Sequence, residues 1–146
     1  MKLRRRILVI GGGGFMMEGA FARIDREILR LTGKARPRVC VVPTPTGDAE
    51  ELLQRFYGAY EPHCEPCQLT PFRKPTDRSL ALRRLPEELG RLDAAFVTGG
   101  STKSALGVWR EWAIDKALLQ AYRGGLLLTG MSAGAICWFE KGFTIR

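Results

Sequence analysis

Histidine is nearly absent from this 146-residue chain, which has a single one, His63. That scarcity excludes chemistry built on paired histidines, such as a helix-borne H-E-x-x-H zinc site. Cysteine is sparse as well, with only Cys40, Cys64, Cys67 and Cys137. Structural zinc usually takes four ligands, and no second Cys or His pair accompanies Cys64-Glu65-Pro66-Cys67. A thioredoxin-like pair opens a helix after a strand, whereas Pro62 and Pro66 put this one on a loop entering a strand. Cys40 and Cys137 sit in apolar surroundings and read as small core residues. Neither a metal nor an organic cofactor is expected. Long apolar runs are missing too, since Leu126-Leu127-Leu128 is far too short to span a bilayer. The basic start, Met1 to Arg6, leads into a short strand and then glycines, without the longer apolar region and cleavage site of a signal peptide. A cytoplasmic protein is the expectation.

Acidic residues fall short of basic ones, 15 against 23, and leave a formal net charge of +8. Such an excess invites a nucleic-acid reading. The arginines, however, are scattered, with short clusters only at Arg4-Arg5-Arg6 and Arg83-Arg84, and no nucleic-acid motif accompanies them. They read as solvated surface, and neither nucleic acid nor a membrane is an expected partner. The apolar share of 45% and the length suit one domain, 1–146, with a core of its own.

What the chain does have is a series of short apolar runs that end in glycine or proline. Arg5 to Ile10 reads as a buried strand followed by the loop Gly11 to Gly14. Phe21, Ile24, Ile28 and Leu31 recur at helical spacing and predict a helix over Ala20 to Thr32, stopped by Gly33. Arg38 to Val42 is a second strand, closed by Pro43-Thr44-Pro45. Asp48 is a candidate N-cap for a helix over Ala49 to Tyr60, with Glu50 and Glu51 in its first turn. A short strand is expected at Cys67 to Leu69. A modest helix starts at Asp77 or Ser79 and runs toward Leu85, where Pro86 ends it or starts another turn. Ala94 to Thr98 is a strand ended by Gly99-Gly100, and Ser101 can cap the helix that carries Leu106, Trp109 and Trp112. A break near Ile114-Asp115 precedes a helical run to Tyr122. Leu126 to Thr129 is the last strand, and Ser132 to Phe139 reads as a short buried helix. Strands that alternate with helices along the whole chain imply an α/β fold, a mainly parallel sheet with helices on both faces.

The strongest chemical signal is Gly130-Met131-Ser132-Ala133-Gly134, a G-x-S-x-G that follows a strand and opens an apolar helix. This is the context of a nucleophile elbow. The serine would sit on a sharp turn, which demands tiny neighbours, and project above the carboxyl ends of the strands, where open α/β sheets bind ligands. The plainer alternative is a helix start merely capped by Ser132. Acyl chemistry also requires donors for an oxyanion. The N–H of Ala133 is one candidate, and Gly99-Gly100 offers a second on the neighbouring strand's loop, unless those glycines only form the turn.

Together Ile7-Leu8-Val9-Ile10-Gly11-Gly12-Gly13, Val41-Val42-Pro43-Thr44-Pro45-Thr46, Phe96-Val97-Thr98-Gly99-Gly100-Ser101-Thr102 and Gly130-Met131-Ser132-Ala133-Gly134-Ala135 resemble the peptidase E family of aspartyl dipeptidases, in the family's order and over nearly the whole chain. The resemblance implies a flavodoxin-like fold of the class I glutamine amidotransferase type. It implies cleavage of short peptides, often with an N-terminal aspartate, through an acyl-enzyme. Ser132 would be the nucleophile, Gly100 and Ala133 the oxyanion donors, and Gly99 and Thr102 the shapers of that loop. Where the family typically has Gly-Gly-Asn-Thr, this chain has Gly99-Gly100-Ser101-Thr102, so the role of Ser101 in substrate contact stays open. The family's catalytic histidine lies downstream of the elbow, beyond a further strand, and nothing histidine-like follows Ser132 here. The resemblance thus implies a domain without the family's C-terminal strands.

Other residues carry two readings each. Gly11 to Gly14 miss the G-x-G-x-x-G dinucleotide pattern at Met16, and no acid closes the second strand, so the loop reads as a tight turn beside the site. Glu18 could bind a substrate's amino terminus or orient a base, or be a first-turn charge. Lys103 could attract a carboxylate or activate the serine, as in Ser-Lys enzymes, or be plain surface. His63 reads as an exposed loop residue, and Trp109, Trp112 and Trp138 as core or interface aromatics. The rival to a peptidase is a truncated, catalytically impaired homologue that self-associates as a homodimer, covering an open sheet edge.

Overall fold

Among the described residues five parallel strands form one sheet, and their order explains where the helices go. The structure, a computed structural model, describes residues 4–142; Met1 to Leu3, the beginning of the basic start, lie outside them. The strands are β1 (Ile7–Ile10), β2 (Arg38–Val42), β3 (Glu65–Gln68), β4 (Ala94–Val97) and β5 (Leu127–Met131), in the spatial order β1-β5-β4-β2-β3. Right-handed crossovers dictate the rest. From β1 to β2 and on to β3 the chain moves one way across the sheet, which puts α1 (Phe15–Glu18), α2 (Arg23–Leu31) and α3 (Glu50–Tyr60) on one face. It then steps back from β3 to β4 and β5. That reversal sends α4 (Leu85–Gly90), α5 (Thr102–Glu111) and α6 (Ile114–Arg123) to the other face, and α7 (Ala133–Ile136) follows β5 there.

Alternation along the strands feeds both layers. Val39, Val41, Ala94, Phe96 and Leu127 pack with Phe15, Ile28, Phe56 and Tyr60. Cys40, Val42, Ala95, Val97 and Leu128 pack with Leu89, Trp109, Ile114 and Leu118. Each large apolar side chain so buried contributes roughly 1.5–3 kcal/mol of transfer free energy. The central strands β4 and β5 are buried throughout, as continuous apolar runs require in a two-sided sheet. β1 lies at the sheet's edge, and Val9 there is 46% exposed. No helix among the described residues is long and apolar enough to cross a membrane.

Several local expectations are corrected. The stretch after Gly14 holds two helices, α1 and α2, because Gly19 takes a left-handed φ of 72° and stops the first. Asp25 then caps the second, accepting from the Ala22 N–H at 2.9 Å. Asp48 is not the cap of α3: Ala49 holds that position, and Asp48 adopts φ 61° and turns its carboxylate to the Phe72 N–H at 2.7 Å. The third strand begins earlier, at Glu65, with Cys40 and Cys67 side by side in register. Pro86 starts α4 rather than ending a helix, since its missing N–H costs nothing in a first turn. Trp112 is exposed rather than core. Burial pushes the Cys64 thiol up to about 12, the reverse of what a redox thiolate requires.

Asp25 is fully buried, and the Tyr60 hydroxyl donates to it at 2.6 Å, which ties α2 to α3 beneath the glycine loop. Burial raises its carboxyl above the ordinary value, and the Tyr60 bond pulls partly the other way. A raised folded-state value means that stability falls as pH rises through it, because the buried group must ionise. Tyr60→Phe removes the bond that makes ionisation tolerable. The expected cost at neutral pH is about 1.5–3 kcal/mol. It shrinks as pH falls and Asp25 protonates, which urea melts at about pH 7 and about pH 4 check; a cost that grows toward acid would refute the linkage.

Candidate active site

β5 delivers Ser132 to the carboxyl edge of the sheet, between the ends of its neighbours β1 and β4. Ile10 pairs with Met131 and Val97 with Gly130, so the loops beginning at Gly11 and Thr98 flank the serine. Ser132 has φ 56° and ψ −113°, a conformation few non-glycine residues adopt. The surrounding structure holds it there. Its N–H donates to the Ile10 carbonyl at 3.0 Å, and its own carbonyl accepts from the N–H groups of Ala135 and Ile136 at 2.9 and 3.0 Å. The side chain makes no capping hydrogen bond to α7 and is exposed, so the plain capping reading fails.

The flanking glycines are there for space. A Cβ on Gly130 would run into the Gly134 and Val97 carbonyls, and one on Gly134 into the Val97 carbonyl. Strand, elbow and helix therefore touch backbone to backbone. α7 is shorter than the run to Phe139 that the sequence suggested, ending at Ile136.

The second loop is built against a third. Ser101 donates its N–H to the Pro45 carbonyl at 2.8 Å, and the turn Pro43 to Thr46 is anchored by the Trp109 indole N–H on the Thr44 hydroxyl at 3.1 Å. Gly100 lies directly over Pro45 with φ +133°, where a side chain would strike the Pro45 carbonyl. Gly99 faces the serine: a Cβ there would sit 3.7 Å from the Ser132 Cβ and 3.8 Å from the Met16 Cε. The N–H groups of Gly100 and Ala133 donate to no other described residue. Ser101 accepts from the Ser104 N–H at 3.2 Å and so caps α5, as expected. The Thr102 hydroxyl is buried without a partner among the described residues.

A cleft of about 670 Å³ opens beside Gly100, with Ser101, Thr102, Lys103 and Arg110 on one wall and Phe139 on the other. Ser132 is not on its lining, and neither is Glu18. It accepts from the Gly14 N–H at 3.1 Å and lines a separate hollow with Gly12, Gly13 and Phe21. His63 is farther still. It follows α3, stacks on Phe21 with ring centroids 4.0 Å apart, and precedes β3, so it lies at the amino ends of the strands. The length of a strand, about 13 Å, separates that edge from the one carrying Ser132. Sequence reasoning missed Met16, because helix α1 is too short to leave a periodic signal, and Arg110 and Phe139, which are ordinary surface types.

The model of peptidase family S51 matches residues 7–146 of this chain. An uncharacterized peptidase, YgaJ, of Bacillus subtilis (strain 168) is 38% identical over 141 residues, which cover 96% of this chain and 59% of that protein. A putative peptidase E protein from Listeria monocytogenes EGD-e superposes with a TM-score of 0.63 at 19% identity, over 90% of this chain and 60% of that one. A peptidase from an acI-B1 actinobacterium gives 0.65 at 16% identity, over 89% and 55%. At such identities the two structures establish the fold, an α/β sheet of the peptidase E kind. The chain spans about three fifths of the length of the relatives it matches. On the strength of the family match and the Bacillus relative, the chain belongs to peptidase family S51.

Proposed function

We propose that this chain carries the nucleophile half of a serine peptidase for short peptides, with aspartate as the favoured N-terminal residue. The observation that carries the reading is Ser132 itself. A strained, exposed serine with an uncommitted hydroxyl faces Gly99 and is followed directly by Ala133, and the N–H groups of Gly100 and Ala133 donate to nothing within the described residues. In the reaction the Ser132 oxygen attacks the peptide carbonyl carbon while a base takes its proton. Gly100 and Ala133 hold the oxyanion, with Gly99 and Thr102 shaping that loop and Ser101 fixing the start of α5. The C–N bond then breaks, the amine leaves with the proton, and water releases the acyl group. His63, the sequence's one histidine, lies at the opposite end of the sheet and is not that base. Glu18, turned onto its own loop, has no part in this scheme.

A fluorophosphonate probe tests the nucleophile directly, because it forms a covalent bond to an activated serine oxygen. Peptide mapping is expected to find the adduct on Ser132 and none on Ser132→Ala. Equal labelling of the two proteins would overturn the assignment. A second reading, an impaired homologue that self-associates, is favoured by the unpaired outer edge of β1 and by the exposure of Val9, Trp112 and Leu119. Sedimentation of the same samples separates the two: a dimer without labelling supports it, and a labelled monomer removes it.

A further inference from the structure

We propose that Asp48 is a positioning residue for the oxyanion site: its buried carboxylate clamps the connector 70–73 onto the turn against which Gly100 rests. The inference rests on the reading of Gly100 as an oxyanion donor. The turn, Pro43 to Asp48, is closed from within, because the Pro43 carbonyl accepts from the Thr46 N–H at 3.0 Å, the Thr46 hydroxyl at 2.9 Å and the Asp48 N–H at 3.1 Å. The chain leaves it through two consecutive left-handed residues, Gly47 with φ 67° and Asp48 with φ 61°. After glycine, Asp and Asn are the residues that best tolerate such a backbone. Pro45, in the middle of the turn, presents the carbonyl that receives the Ser101 N–H and lies directly under Gly100. Where the turn stands therefore decides where the Gly100 N–H points.

From outside, the turn is held on one side by the Trp109 indole on Thr44. On the other side stands the connector that follows β3. Its Phe72 N–H donates to the Asp48 Oδ2 at 2.7 Å, and its Arg73 guanidinium donates to the Asp48 carbonyl at 3.3 Å and pairs with Glu50. Asp48 is 1% exposed, and its Oδ1 has no partner among the described residues. A carboxylate so buried and so thinly bonded is costly. Burial raises its carboxyl above the ordinary value, while the Phe72 bond and the Arg73 charge pull the other way. Glycine would take the left-handed backbone without strain or desolvation. What the carboxylate adds is the link itself, which fixes the backbone of a distant, proline-rich segment to the turn under Gly100.

Asp48→Gly tests the clamp, since glycine keeps the backbone and removes the carboxylate. The full chain is labelled with a fluorophosphonate well below its melting temperature, and the Gly100 amide is followed by heteronuclear NMR. Labelling of Ser132 is expected to slow about ten- to hundredfold, as for a misplaced group at a reacting centre, with the Gly100 resonance displaced and that of Ala133 in place. Asp48→Asn, whose amide oxygen accepts the same bond, should stay within about threefold of the parent. A merely structural Asp48 would lower the melting temperature of Asp48→Gly and leave the labelling rate and the Gly100 resonance of the folded molecules unchanged, and that result would overturn the proposal. If Asp48→Gly does not fold, Arg73→Gln, an exposed substitution that loosens the same clamp, decides: a displaced Gly100 resonance upholds it and an unmoved one refutes it. A parent protein that takes no label defeats the nucleophile, while the Gly100 resonance still decides the clamp.

Discussion

Gly134→Ala is expected to leave little or no folded protein. A Cβ is fixed by the backbone and has no rotamer in which to escape. At this position it would overlap the Val97 carbonyl and stand 3.0 Å from that of Thr98. Relief requires α7 to lift off the end of β4, but α7 is joined through Ser132 to β5, a central and fully buried strand. Separating them opens the core on both sides of the sheet. The cost should exceed about 4–5 kcal/mol, the range reached by few single substitutions, against about 5–15 kcal/mol for a whole domain. Gly107→Ala is the control. Gly107 sits inside α5, where an added Cβ would meet nothing within 4 Å, and alanine there should stabilise by about 0.5–1 kcal/mol. Soluble yield and thermal melts by circular dichroism measure both. A Gly134→Ala protein melting within a few degrees of the parent would show that the elbow is not packed as described.

The second large effect is on reactivity rather than folding. Gly100→Ala should reduce fluorophosphonate labelling of Ser132 by about 10²–10³-fold, the usual consequence of losing one oxyanion donor. Two causes act together. A φ of +133° belongs almost solely to glycine, and a side chain would press on the Pro45 carbonyl, which the Ser101 N–H holds in place. The loop must therefore turn, and the Gly100 N–H turns with it. Because Gly100 is exposed, the loop can move without opening the core, and the stability loss should stay near about 1–3 kcal/mol. Gly99→Ala is the comparison: its Cβ would meet its nearest neighbour at 3.6 Å, an ordinary contact. Labelling undiminished in Gly100→Ala, with the protein folded, would remove this N–H from the reaction.

Much of the site was legible because its signals are local. G-x-S-x-G after an apolar run requires only its own neighbours to be read, and Gly99-Gly100 at the end of β4 is the same kind of signal. What failed to show was of two sorts. Elements shorter than two turns, such as α1 with Met16, carry no period to detect. Side chains with several possible partners, such as Asp48 and Glu18, read most simply as charges at the nearest helix end, whereas Asp48 serves a loop 24 residues later and Glu18 its own glycine turn.

The sequence by itself determined the α/β class, the strand that carries Ser132 and the glycines around it, because alternation, apolar runs and backbone freedom are properties of short segments. Only the tertiary structure decided that Pro45 supports Gly100, that Met16 comes up to Gly99, that Lys103 and Arg110 share one cleft and that His63 stands at the far edge. Those facts depend on strand order, and strand order is set by which faces of distant segments bury one another, a choice no local stretch of chain contains.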